Sequence, residues 1–69
     1  MDRGQVESSN IVSVGYDAAT MILEVEFISG AVWQYTGVSG NIFKAFMESD
    51  SLGKFFMRNI KPNYRGRRA

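Results

Sequence analysis

The sequence predicts an α+β fold, a three-stranded antiparallel meander followed by two helices packed on one face (β-β-β-α-α). Three observations carry this expectation. Between Asn10 and Thr36 the apolar residues recur with a period of two; beyond Gly37 the period lengthens to about 3.6; and the change falls at the glycine- and serine-containing stretch Gly37-Val38-Ser39-Gly40.

In the first strand Val12, Val14 and Tyr16 share one parity, with Ser13 and Gly15 on the other, as one buried face requires. Asp17-Ala18-Ala19-Thr20 reads as a four-residue turn opened by aspartate. In the second strand Met21, Leu23, Val25 and Phe27 alternate with Glu24 and Glu26, while Ile22 and Ile28 are apolar exceptions on the acidic face. A third strand, about Ala31 to Thr36, places Ala31, Trp33 and Tyr35 on one face and Val32, Gln34 and Thr36 on the other. Register follows from the turns. A two-residue turn at Ser29-Gly30 would carry the aromatics of the third strand onto the polar face. The loop Ile28-Ser29-Gly30, with Gly30 left-handed, instead pairs Val25 with Trp33 and Leu23 with Tyr35. The same arithmetic pairs Val14 with Leu23 and Val12 with Val25 in the first hairpin.

Ile42, Phe43, Phe46 and Met47 form the stripe of a first helix, with Ser39 or Asn41 as its N-cap. Ser49-Asp50-Ser51 ends it and can cap a second, whose stripe is Leu52, Phe55, Phe56 and Ile60, with Lys54, Arg58 and Lys61 largely opposite. Pro62 stops that helix at or before Lys61. The expected organisation is a flexible lead-in over residues 1–7, a single domain over 8–64 and a basic tail over 65–69.

A chain of 69 residues makes one small domain, with nine aromatic side chains available to its core. It has no cysteine and no histidine, which excludes zinc fingers, disulfide frameworks, thiol nucleophiles and imidazole-based triads. The absence of cysteine fits a reducing compartment. With no apolar leader and no long apolar run, the expected localisation is cytoplasmic, with no membrane partner. No positioned base, metal cluster or cofactor motif is visible, so the expectation is a protein that is not an enzyme and holds no cofactor.

Two motifs have ready structural explanations. Gly53-Lys54 lacks the other residues of a phosphate loop, and a helical glycine more simply permits close packing. Glu24 and Glu26 could pair as carboxylates, or join Asp17 in a hard-cation site. An open strand face implies no cleft, however, and points to a solvated acidic surface.

Charge is divided along the chain. Residues 1–50 hold two cations against all seven acids, a net −5, whereas residues 51–69 hold six cations and no acid. Lys54, Arg58, Lys61, Tyr64, Arg65, Arg67 and Arg68 thus form the best candidate nucleic-acid surface, with guanidinium forks for phosphate and an aromatic face for a base. The plain alternative is a solvated basic end that keeps the chain soluble. Trp33 and Tyr35 alternate as the base-stacking aromatics of an RNA-recognition sheet do, but the expected register places both on the core side.

Ser8-Ser9-Asn10-Ile11, Gly15-Tyr16-Asp17, Leu23-Glu24-Val25-Glu26-Phe27, Gly30, Trp33-Gln34-Tyr35, Val38, Gly53-Lys54-Phe55-Phe56 and Ile60-Lys61 with Tyr64 resemble the KTSC domain family over Ser8 to Tyr64. The family occurs as small stand-alone proteins of bacteria and phages and at the C-terminus of some lysyl-tRNA synthetases, and an RNA-binding role has been suggested from that attachment. The chain departs from it in two places. Trp33 stands where the family's Tyr-x-Tyr motif begins, and Val38-Ser39-Gly40 stands where Val-Pro is common.

The leading expectation is a small non-enzymatic module that binds nucleic acid, RNA in particular, through its basic C-terminal end. The alternatives are a protein-interaction module, acting as a homodimer or a phage-type accessory protein binding a host factor through an open strand edge, and a binder of a small anionic ligand near Trp33 and Tyr35.

Overall fold

In the computed structural model, which describes residues 1–69, five strands form one antiparallel sheet in chain order. They are β1 (Gly4–Gln5), β2 (Ile11–Asp17), β3 (Ile22–Phe27), β4 (Val32–Tyr35) and β5 (Gly66–Arg68). Between β4 and β5 the chain forms α1 (Gly40–Glu48) and α2 (Leu52–Phe55), the latter continuing as a π-helical turn over Phe56–Ile60. The class is α+β, as the change of period predicts, and β2, β3 and β4 are the three expected strands.

Two strands were not expected. The residues read as lead-in and basic tail supply the two edges, with Val6 N donating to Val12 O at 3.1 Å and Ala69 N to Val32 O at 2.8 Å. Edge strands of two and three residues are held by backbone hydrogen bonds and are too short to show an apolar period in the sequence. The edge of β2 that looked free to accept a partner is therefore occupied by the chain itself. The edges that remain are short, and β5 carries two arginines, a composition that discourages edge-to-edge pairing.

The second hairpin has the expected register, with Val25 opposite Trp33, Leu23 opposite Tyr35 and Gly30 at φ 93°. The first hairpin differs. Asp17 still belongs to β2 and pairs with Ile22, its carboxylate accepting from Ala19 N at 3.0 Å, and the loop is Ala18 to Met21. Val14 therefore faces Val25, not Leu23, and Tyr16 faces Leu23. A bulge between Ile11 and Ser13 then turns Val12 outward and puts Ile11 into the core opposite Phe27. The shift preserves parity, so the apolar face stays continuous.

That face carries Ile11, Val14, Leu23, Val25 and Tyr35, which pack with Val38, Phe46, Phe56 and Ile60 from the helical layer. Ser39 caps α1 by accepting from Ile42 N, and Ser51 caps α2 by accepting from Lys54 N. Of the first helical stripe, Phe46 is fully buried and Phe43 stacks on Tyr16 with ring centroids 4.5 Å apart. Met47, expected inward, is exposed, and Phe46 is the one fully buried side chain of α1.

Candidate functional site

The helices do not cover the apolar face completely. A cleft of about 360 Å³ remains above β4, lined by Trp33 and Tyr35 of that strand, by Phe56 and Met57 of the π turn and by Lys61 and Tyr64 of the chain that follows. Its floor is an aromatic row. Phe56 meets Phe27 and Tyr35 edge to face, at centroid distances of 5.2 and 5.3 Å. Gly66, opposite Tyr35 on β5, completes the floor, and a Cβ there would lie 2.9 Å from Tyr35 Cδ1 and closer still to Cε1. The glycine lets the edge strand lie directly beneath the tyrosine ring.

The two aromatics read from the alternation of β4 therefore differ. Tyr35 is buried, while Trp33 is only half-buried and faces the cleft. The hydroxyl of Tyr35 makes no hydrogen bond within the protein, yet no buried side-chain oxygen or nitrogen lacks a partner. The small accessible part of Tyr35 therefore includes that hydroxyl, and burial of the ring pushes its pKa upward. Two strands away in the same cross-strand row, Tyr16 donates to Val38 O at 2.6 Å, so its hydroxyl is already committed.

The basic residues do not gather into one surface. Lys61 lines the aromatic cleft, and Tyr64 lies half-buried beside it. Arg68 pairs with Trp33 across the sheet, and residues directly opposite in an antiparallel pair project from the same face, so Arg68 flanks the cleft. Arg67 pairs with Gln34 and projects from the other face. Arg65 is exposed in the turn leading into β5, its carbonyl accepting from Thr36 N. Lys54 and Arg58 lie apart, beside a polar depression shared with Ser9 and Asn10. Sequence reading missed Phe27, Met57 and Gly66 as parts of the cleft. A glycine between Arg65 and Arg67 was the available signal, since it marks a close approach that a run of arginines does not need.

The opposite face is polar and closed on itself. Arg3 reaches across Gly15, where a Cβ would lie 2.9 Å from Arg3 Cγ, and donates from Nη1 to Glu24 Oε2 at 2.7 Å. Gln34 Nε2 donates to the other oxygen of Glu24 at 2.8 Å. Ser13 accepts from Arg3 Nε at 2.9 Å and donates to Glu26 at 2.8 Å. Glu24 is thus only 7% exposed, not the solvated carboxylate its strand position suggested, and covering by the N-terminal segment is the reason. The Gln34 hydrogen bond, then the bond and charge of Arg3, hold its carboxyl below the usual glutamate range against the opposing effect of burial. Asp17, Glu24 and Glu26 do not converge, and no group of three carboxylates is placed to hold a metal ion. No helix is long and apolar enough to cross a membrane.

The same fold and chain length are found elsewhere. A KTSC domain protein of Yersinia pestis, known from its crystal structure, matches this chain with a TM-score of 0.95 at 37% identity, covering 99% of this chain and 96% of the other. An uncharacterized protein of Stutzerimonas stutzeri is 44% identical over 64 residues, 93% of this chain and 90% of its own length. A protein of Tsukamurella paurometabola is 38% identical over 60 residues, 87% of this chain and 90% of its own. The KTSC domain model matches residues 7–64, and with nearly the whole chain so matched, the protein belongs to the KTSC domain family.

Proposed function

We propose that this chain is a small non-enzymatic module that binds single-stranded nucleic acid, RNA in particular, at the side of the sheet formed by β4 and β5. One observation carries the reading: Trp33 and Tyr64 line a common cleft with Lys61, and Arg68 is the strand partner of Trp33. An aromatic surface beside guanidinium and ammonium groups is what sequence-tolerant binding of single strands uses, with stacking for bases and cations for the backbone. Lys61, Arg65, Arg67 and Arg68 supply the cations, with Arg67 and Arg68 on opposite faces of an edge strand where a passing backbone meets both. The acidic first fifty residues keep the contact local and the affinity modest.

Binding of a labelled single-stranded RNA across a salt series tests this. With about four phosphate contacts, log K falls with log salt at a slope of about −3. Replacing Arg65, Arg67 and Arg68 together by glutamine keeps β5 in place and is expected to bring the slope to about −1. A flat salt response of the unaltered protein overturns the reading.

A further inference from the structure

We propose that the cleft above β4 is a subsite for a single nucleotide unit, in which the base lies against Trp33 and Tyr64, the Tyr35 hydroxyl hydrogen-bonds its edge, and Lys61 and Arg68 meet its phosphate. The inference rests on the nucleic-acid reading and sharpens it from a charged surface to a defined pocket.

Three features of the cleft select this ligand class. Its volume of about 360 Å³ lies at the small end of the range for ligand sites, enough for a heteroaromatic ring system and too small for a folded segment. Its walls and floor are largely aromatic, so a flat π system finds matching faces, and Met57 adds an adaptable thioether above them. One lining residue, Tyr35, also carries a polar atom that the fold does not use. The Tyr35 hydroxyl has no partner in the protein, although the Tyr16 hydroxyl, which also emerges from the helix-covered face, does. A purely apolar ligand covering Tyr35 would strip water from that hydroxyl and return nothing, whereas the edge of a base offers it an acceptor or a donor. The cations sit at the rim, with Lys61 on the wall and Arg68 beside Trp33, where the phosphate attached to a bound base emerges into water.

The shared chemistry, a base carrying a phosphate, can come from a free nucleotide or from a strand, and two arms separate the sources. Trp33 is the only tryptophan in the chain, so its emission reports the cleft directly. One arm titrates the full-length protein with the four ribonucleoside 5′-monophosphates. The other titrates it into end-labelled six-residue homopolymer RNAs and an end-labelled abasic six-residue strand, with binding read from the anisotropy of the label and the cleft from Trp33. The expected result is quenching of Trp33 that depends on the base, with the abasic strand binding more weakly and leaving the emission unchanged. Tyr35→Phe keeps the ring that packs on Phe56 and is expected to weaken base-containing ligands about five-fold and compress their ranking, with the salt slope unaltered. Equal binding of abasic and base-containing strands, with no change at Trp33, overturns the subsite and leaves the charged-surface reading standing. Quenching by the mononucleotides without binding of any strand supports the subsite and overturns the nucleic-acid reading. No response in either arm overturns both, and a Tyr35→Phe variant with unchanged affinities and ranking removes the hydroxyl from the proposal.

Discussion

The two faces of the sheet solve opposite problems. On the face away from the helices, Arg3, Ser13, Glu24, Glu26 and Gln34 satisfy one another over a chain of short contacts, so charged groups become part of the structure. On the helix-covered face the packing is almost wholly apolar, yet on its β4–β5 side Trp33, Tyr35 and Lys61 line an open cleft and Arg68 projects from the same face beside Trp33, with neither cation in an ion pair. The difference shows where a small protein can keep a binding site. Polar groups that close on each other stabilise the fold and have nothing left for a ligand, whereas those left unpaired at the rim of a core are available.

The largest break in this contrast comes from the helix-covered side. Phe56 is 4% exposed and touches both Phe27 and Tyr35, joining the core to the cleft floor. Phe56→Ala is expected to cost about 3–5 kcal/mol. A chain of this size has about 3–10 kcal/mol in total, so thermal unfolding by circular dichroism should show a variant at or near the edge of folding. A loss below 1 kcal/mol would mean that the π turn is not a working part of the core.

The core was legible in the sequence because burial imposes a period. Gly30 and the parity of Trp33 and Tyr35 were enough to set the second hairpin, and Ser51 and Pro62 bounded the second helical segment. What the pattern could not carry was anything that breaks the period or does without it. The bulge at Val12 exchanges an outward residue for Ile11, and two adjacent β-branched residues give no sign of which one faces in. The edge strands leave no periodic trace, so a basic tail and a strand look alike. The Arg3–Glu24 pair joins residues far apart in sequence, and nothing local to either announces the other. The candidate site was legible by residue type and illegible by grouping. Lys61, Tyr64 and Arg68 were read from the sequence by type, but only the path of the chain after Ile60 separates them from Lys54, Arg58 and Arg67.

A smaller break tests the opposite face. Arg3→Ala leaves Glu24 buried with Gln34 as its remaining partner, and should cost about 1–3 kcal/mol at neutral pH. The pH dependence has a definite sign. Because the Glu24 pKa is lowered in the folded protein, the stability it contributes is present above the ordinary glutamate value of 4.5 and is lost as pH falls through the folded value. Urea denaturation of the two proteins should therefore give stabilities that differ at pH 7 and converge in acid. A gap that persists undiminished at low pH would assign the Arg3 effect to packing over Gly15 instead of to charge.

The finest test compares two hydroxyls on the same side of the sheet. Tyr16 and Tyr35 both lie against the helical layer, and phenylalanine replaces either ring without changing its volume appreciably. Tyr16→Phe removes the donor to Val38 O and should cost about 1 kcal/mol, since that carbonyl loses its side-chain partner. Tyr35→Phe removes a hydroxyl that bonds nothing in the protein, so its effect on unfolding should stay within about 0.5 kcal/mol. The same substitution also removes a phenol whose ionisation burial already disfavours, so any destabilisation of the unaltered protein tied to this group begins only as pH rises past 10, where the unfolded chain ionises first. Paired chemical denaturation at pH 7 decides the point. A cost for Tyr35→Phe as large as that for Tyr16→Phe would show that the hydroxyl serves the fold, whereas a silent substitution leaves it with no structural duty at the floor of the cleft.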